Sequence, residues 1–167
     1  MKKSVRLFAL VPWLAFIAAA SAAEIPPAKN YTVAPAASKV QIDGLLDEPA
    51  WQGAAVMSLD TEWMPGDNTP APVKTECLVT FDRSNFYIAF RCFDPEPNKI
   101  RAHLMDRDAT DTLIQDDHIS VIIDSFNDER RGFQFRVNPL GVQADANFSE
   151  LEGYEDFSWD AIWASAG

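Results

Sequence analysis

Residues 132–142 read GFQFRVNPLGV. Strict alternation of this kind marks a β-strand, because successive side chains leave opposite faces. Phe133, Phe135 and Val137 share one face, and Gln134, Arg136 and Asn138 share the other. The residues NPLG then make a turn. The same grammar extends in both directions. HISVIIDSF (118–126) is a strand with Ile119, Val121 and Ile123 on one face, NDERRG is a turn, and VQADANF (142–148) follows. Upstream, CLVTF (77–81) and FYIAFRCF (86–93) flank the turn DRSN and read as a hairpin, with Asn85 suited to the left-handed conformation of a turn. Aromatic residues on both faces of 86–93 indicate a central strand covered on both sides.

The remaining segments punctuate this pattern. VQIDG (40–44) reads as a short strand ending at Gly44, where a tight bend is permitted. LLDEPAW (45–51) starts a helix, with Asp47 at the cap, Pro49 in the first turn and Trp51 folded onto the sheet. MPGDNTPAP (64–72) is a loop, DPEPNKI a Pro-broken connection, and residues 101–117 part strand and part acidic loop. Beyond Trp51 no segment sustains helical periodicity for three turns. The expected fold is an all-β antiparallel β-sandwich, jelly-roll-like, over residues 38–167. Trp159 to Ala164 alternates like a strand whose free edge no later strand protects, so the sandwich is expected to lack its C-terminal strands.

Length and charge bound the function. The chain has 167 residues, enough for one domain with a real core. Residues 1–22 carry Lys2, Lys3 and Arg6, then an apolar run, then Ala20-Ser21-Ala22: a secretory signal, followed by a Pro/Ala-rich lead-in over 23–37. Export places the protein in the periplasm, outer membrane or extracellular space. Three of the 14 Lys+Arg lie in the signal, so 11 remain against 25 acids. A surface this acidic repels phosphate backbones, which argues against a nucleic-acid partner.

Cysteine pairing is a question of register. If Phe81 faces Phe86, Cys77 faces Phe90 and Cys92 lies one diagonal step away. Diagonal pairs sit about 7–8 Å apart, beyond disulfide reach. Both thiols are then expected free, buried and on one face, whereas a two-residue slip would bring them opposite each other.

Three clusters carry candidate chemistry. The first is Asp106, Asp108, Asp111, Asp116 and Asp117, which is either a solvated acidic loop or a set of calcium ligands, with Asp94 and Asp124 as further candidates. The second is the polar strand face of Gln134, Arg136 and Asn138. Guanidinium and amide groups are the donors that planar recognition of sugar hydroxyls needs, with an aromatic plate beside them. Trp63, Trp159 and Trp163 are the aromatic candidates for that plate. The third is His103, Met105 and His118, of which only His118 with Met105 could clamp opposite sides of a haem. No His-Cys metal spacing, nucleophile elbow or phosphate loop is present, and 25 acids fix no glycosidase pair.

VQIDGLLDEPAW, FDRSNFYIAFRCFDPEP, DDHISVIIDSFNDERRGFQFRVNPLGVQADA and WDAIW stand in the order seen in family 9 carbohydrate-binding modules, over residues 38–164. The chain most resembles the version that opens large bacterial envelope proteins ahead of a barrel-like region. The resemblance implies a non-catalytic domain that delivers an attached region, glycoside hydrolase or barrel-like, to a poly- or oligosaccharide. It also implies structural calcium, and sugar contacts at Arg136 and Asn138. Gln134, Ser120 and Trp159 are placed beside them as further candidates. The chain departs from the family at two points: Leu113-Ile114 stand where a sugar-stacking tryptophan would be, and Ser120 stands where a carboxylate would be. A structural domain without sugar binding is the second reading, and a haem-binding sandwich the third.

Overall fold

The computed structural model describes residues 29–167. The expected signal over 1–22 and the first part of the lead-in lie outside the described residues. Residues 31–167 form one compact unit, and it is all-β, as the alternation required. Three strands, β1 (Ala55–Glu62), β2 (Thr69–Phe81) and β3 (Phe86–Cys92), make one antiparallel sheet in that order. Four more, β4 (Ile119–Ile123), β5 (Arg131–Val137), β6 (Gln143–Ser149) and β7 (Tyr154–Asp156), make a second. Two antiparallel sheets are the arrangement of a β-sandwich. One helical turn, α1 (Thr110–Leu113), buries Leu113 completely.

The β2–β3 register is the one the sequence dictates: Phe81 pairs with Phe86 and Cys77 with Phe90. Both cysteines are free, yet Cys92 is exposed, because it pairs with Thr75 at the open end of β3. The central strand is β2, and β3 is an edge. Residues 77–80 of β2 are all buried, and the burial of Leu78 under Trp51, Val40 and Ala50 forms a core cluster. Trp51 thus plugs the sheet as expected. The hairpin turn needs no left-handed Asn85, because the Asp82 carboxylate accepts the N–H groups of Ser84 and Asn85 at 2.7 and 2.8 Å.

Local side-chain hydrogen bonds overrule several expectations. Residues 40–44 are not a strand. The Gln41 N–H donates to the Glu48 carboxylate (2.7 Å) and the Leu45 N–H to that of Asp43 (2.9 Å), so these donors never reach a ladder. The expected helix is a 3-10 turn, Pro49–Gly53, entered at Glu48 rather than Asp47. Glu48 also accepts the Trp51 indole N–H at 3.0 Å. The residues TPAP belong to β2 rather than to a loop. Pro70 and Pro72 are tolerated there because β3 pairs only from Thr75 onward, leaving that stretch as an edge. At the end of the lead-in, the Ala36 N–H donates to Phe81 O at 2.8 Å, which docks that segment on β2.

The largest difference concerns the last residues. Trp159 to Ala164 does not form a strand. This segment lies across the apolar face of the second sheet instead. The Trp159 ring stacks on Phe133 at 4.7 Å, and Trp163 meets Phe135 edge-on at 5.3 Å. Its alternation is that of an extended cover, not of a ladder.

Candidate functional site: a polar strip along β5

Both faces of β5 are covered, which alternation alone does not reveal. The aromatic face is taken by Trp159 and Trp163. The other face, expected to be outward, is the more enclosed: Gln134 and Asn138 are buried at 4% and 2% exposure. Register supplies the reason. Gln134 and Arg136 are flanked on β6 by Ala146 and Ala144, both fully buried, and on β4 by Ile122 and Ser120.

The strip is held from both sides. The Gln134 Nε2 donates to Ser120 Oγ at 3.0 Å. The Arg136 guanidinium forms a short ion pair with Glu155 on β7, and its plane lies 5.6 Å from the Phe157 ring. Neither Asp124 nor Asp145, two acids near it in sequence, is the counter-charge. Asp145 pairs with Phe135 and so faces the opposite side of the sheet. Two buried side-chain atoms on this strip have no hydrogen-bond partner: the Gln134 Oε1, an acceptor, and the Arg136 Nε–H, a donor.

Two expected members of the site do other work. Asn138 closes the turn after β5. Its Oδ1 accepts the N–H groups of Leu140 and Val142, both at 3.0 Å, while its Nδ2 donates to His103 O and to Asp116 Oδ2. No capacity remains for a ligand. Trp159 packs on Phe133, so it stands on the opposite face of β5 from Arg136 and is no plate for it. Trp63 is exposed in the turn after β1, and Leu113 is core.

The acidic loop is not an assembled cation cage. Asp116 is buried. It accepts the His103 N–H and the Asn138 amide through Oδ2 and the His103 imidazole Nδ1 through Oδ1, at 2.7, 3.1 and 2.6 Å. Burial raises its pKa, but these donors outweigh burial and hold it below the ordinary 3.8. Asp117 accepts the Arg101 N–H, and Asp108 the Asp145 N–H and the Arg107 guanidinium. Asp106 and Asp111 point to solvent as exposed residues. Asp94 and Asp124 cap their own turns. Among the described residues no three His, Cys, Asp or Glu side chains come together as a metal-holding group. His118 also turns its Nδ1 to Asp116, at the backbone carbonyl, 2.8 Å away.

A node that alternation did not expose sits beneath the C-terminal cover. Asp145, 1% exposed, accepts the Trp163 indole N–H (2.8 Å) and the Ala161 N–H (3.1 Å) and pairs with Arg107. Its one signal in the sequence is its parity: in VQADANF it falls on the face of the apolar Phe135. Comparison with family models, with curated proteins and with solved structures finds no match for the chain.

Proposed function

We propose that residues 38–167 are a non-catalytic glycan-binding module of an exported protein, and that Gln134, Arg136 and Ser120 hold a sugar hydroxyl group. One observation carries this reading: the two unpartnered buried atoms on the strip are an acceptor and a donor at neighbouring positions of one strand face. A hydroxyl both donates and accepts. Leaving either atom unsatisfied costs about 1–3 kcal/mol, and a hydroxyl seated between them relieves both. The likeness of the chain's motifs to family 9 carbohydrate-binding modules points the same way, and the module would deliver an attached hydrolase or barrel-like region to glycan.

The test is Gln134→Met, which removes the acceptor and keeps the volume. Binding of soluble neutral oligosaccharides, read by calorimetry or by shifts of the side-chain amide signals, should weaken about ten-fold, the worth of one hydrogen bond in a buried site. Equal binding by wild type and Gln134→Met removes the reading. A second reading, a structural domain of a barrel-like envelope protein, has one feature in its favour. Leu59, Phe81 and Phe86 lie on one face of the first sheet and are open to solvent. It predicts no response to any sugar.

A further inference from the structure

Hydrogen-bond parity leaves one side of β3 open. At the two ends of the β2–β3 ladder the Asp82 N–H donates to Asn85 O (2.9 Å) and the Phe93 N–H to Lys74 O (3.0 Å). In an antiparallel pair, bonded and non-bonded positions alternate. Tyr87, Ala89 and Arg91 therefore exchange bonds with β2, while Phe86, Ile88, Phe90 and Cys92 direct their N–H and C=O groups the other way. Among the described residues no strand pairs with that side. The side chains of Phe86, Ile88, Phe90 and Cys92 share the sheet face that carries Leu59 and Phe81. Phe86 is 55% exposed, and Cys92 is also open to solvent.

Sheet edges are normally guarded against a further strand by short length, charge, proline or a bulge. The other edges of the two sheets carry such devices. β1 breaks register between Leu59 and Thr61, at Asp60. β4 has five residues and ends at the Asp124 turn. β7 has three, of which Glu155 and Asp156 are acids. By contrast, β3 runs seven residues in a single register without proline or acid. Its one charge, Arg91, lies on the opposite face and is paired with Glu76 at 3.1 Å. The edge also complements itself. Set antiparallel to a second β3 about a two-fold axis through Ala89, Phe86 meets Cys92 and Ile88 meets Phe90, so every outward-facing residue of β3 is paired. A shift of two residues either way leaves Phe86 or Cys92 with no strand residue opposite. Ala89 meets its own copy at a non-bonded position, where Cα atoms approach to about 4.5 Å and a small side chain fits. Arg91 meets Tyr87, whose ring attracts a guanidinium, and not another Arg91.

We propose that β3 is a self-association edge: two copies of the chain join β3 to β3, and two three-stranded sheets become one continuous sheet. A single ladder of this length buries less than the standard interface of about 1,600 Å², so the dissociation constant is expected at about 50 μM. The test is sedimentation of the full chain together with residue-resolved hydrogen exchange. At about 5 μM the protein sediments as a monomer, and at about 500 μM roughly four-fifths of it has doubled in mass, by mass action. Over the same range the amides of Phe86, Ile88, Phe90 and Cys92 slow about five-fold, while those of Tyr87, Ala89 and Arg91, already bonded to β2, do not change. Ile88→Pro deletes an outward N–H without touching the β2 ladder, a placement that edge strands tolerate. Phe86→Lys puts a charge at each end of the new ladder, at a position exposed enough to keep the fold. Both variants stay monomeric at about 500 μM, whereas Leu59→Lys, on the same face but at the far edge, still dimerises. A monomer at every concentration overturns the proposal, as does a dimer that survives both β3 variants. Loss of the dimer in Leu59→Lys would mean that the sheet faces meet and not the edges. A dimer that dissolves in reductant would be a disulfide through Cys92, and protection of the four amides that does not depend on concentration would mean that the chain covers its own edge. Each of these three outcomes also overturns it.

Discussion

Replacing Asp145 by Ala should detach the C-terminal cover. The carboxylate is fully buried and accepts three groups: the Trp163 indole N–H, the Ala161 N–H and the Arg107 guanidinium. Removing it leaves two neutral donors stranded beside the Phe135 ring. Each enclosed orphan costs about 1–3 kcal/mol, and water reaching the loosened segment brings each towards the lower bound. Stripping one member from a fully buried ion pair costs about 3–5 kcal/mol, but that figure does not transfer. The Arg107 side chain is 37% exposed and keeps Asp160 at 2.9 Å and Asp108 at 3.3 Å, so the lost pair adds no more than about 1 kcal/mol. The sum is about 3 kcal/mol. With a urea slope of about 2 kcal/mol per molar, the unfolding midpoint should fall by roughly 1.5 M, and tryptophan emission should shift red in the folded baseline as Trp163 leaves Phe135. Asp145→Asn keeps one acceptor and should lose about half as much, which preserves a reading if the Ala variant fails to fold. A loss below about 1 kcal/mol with unchanged emission would refute the claim that Asp145 holds the cover.

Two further outcomes follow from the titrating groups. The Asp82 carboxyl is lowered from 3.8 to about 2, first by the Ser84 N–H, then by the Tyr87 hydroxyl and the Asn85 N–H, and those of Asp116, Asp128 and Asp156 are also lowered. A depressed acid stabilises the fold above its unfolded pKa and loses that contribution as pH falls through the folded one. The melting temperature should therefore fall mainly between about pH 4 and pH 2, and Asp82→Asn should flatten part of that drop. A loss already complete above pH 4 would contradict the assignment. The thiols should differ in reactivity. Cys92 is exposed, whereas burial pushes the Cys77 thiol up to about 11, so a thiol reagent at neutral pH should modify Cys92 in the native protein and Cys77 only in denaturant. Equal rates would place Cys77 at the surface.

The fold was legible where the sequence itself counts positions. Pairing Phe81 with Phe86 determines the β2–β3 register to the last residue, and the alternation of Phe133, Phe135 and Val137 with Gln134 and Arg136 marks β5. What alternation cannot say is which face is covered. It groups Gln134 with Arg136 but does not reveal that Ala144 and Ala146 lie beside them, because that depends on the β5–β6 register across the NPLG turn. The same limit explains WDAIW. A period of two is shared by a strand and by an extended segment laid over a sheet, and only the positions of Phe133 and Phe135 beneath Trp159 and Trp163 distinguish them. β7, three residues long, carries too little pattern to register at all.

The acidity of the chain also reads differently once its partners are known. Crowded carboxylates invite a cation, since like charges at close range repel. Here the acids are dispersed to the turns. Asp43, Asp82, Asp94, Asp124, Asp128 and Asp156 each accept a backbone N–H two residues ahead of themselves. A carboxylate in that position builds the turn, and the donors it receives stabilise its charge without a metal. Asp116 follows the same logic across a longer span, tying His103 to Asn138 over the end of β5. The Asn138 turn, and through it the direction in which Arg136 is presented, thus depends on a carboxylate that the sequence alone leaves between a solvated loop and a calcium ligand. Loops rich in Asp are therefore ambiguous until their N–H groups are traced. In this protein the traced bonds lead mainly to the main chain, and the buried side-chain atoms left without a partner among the described residues are Gln134 Oε1 and Arg136 Nε.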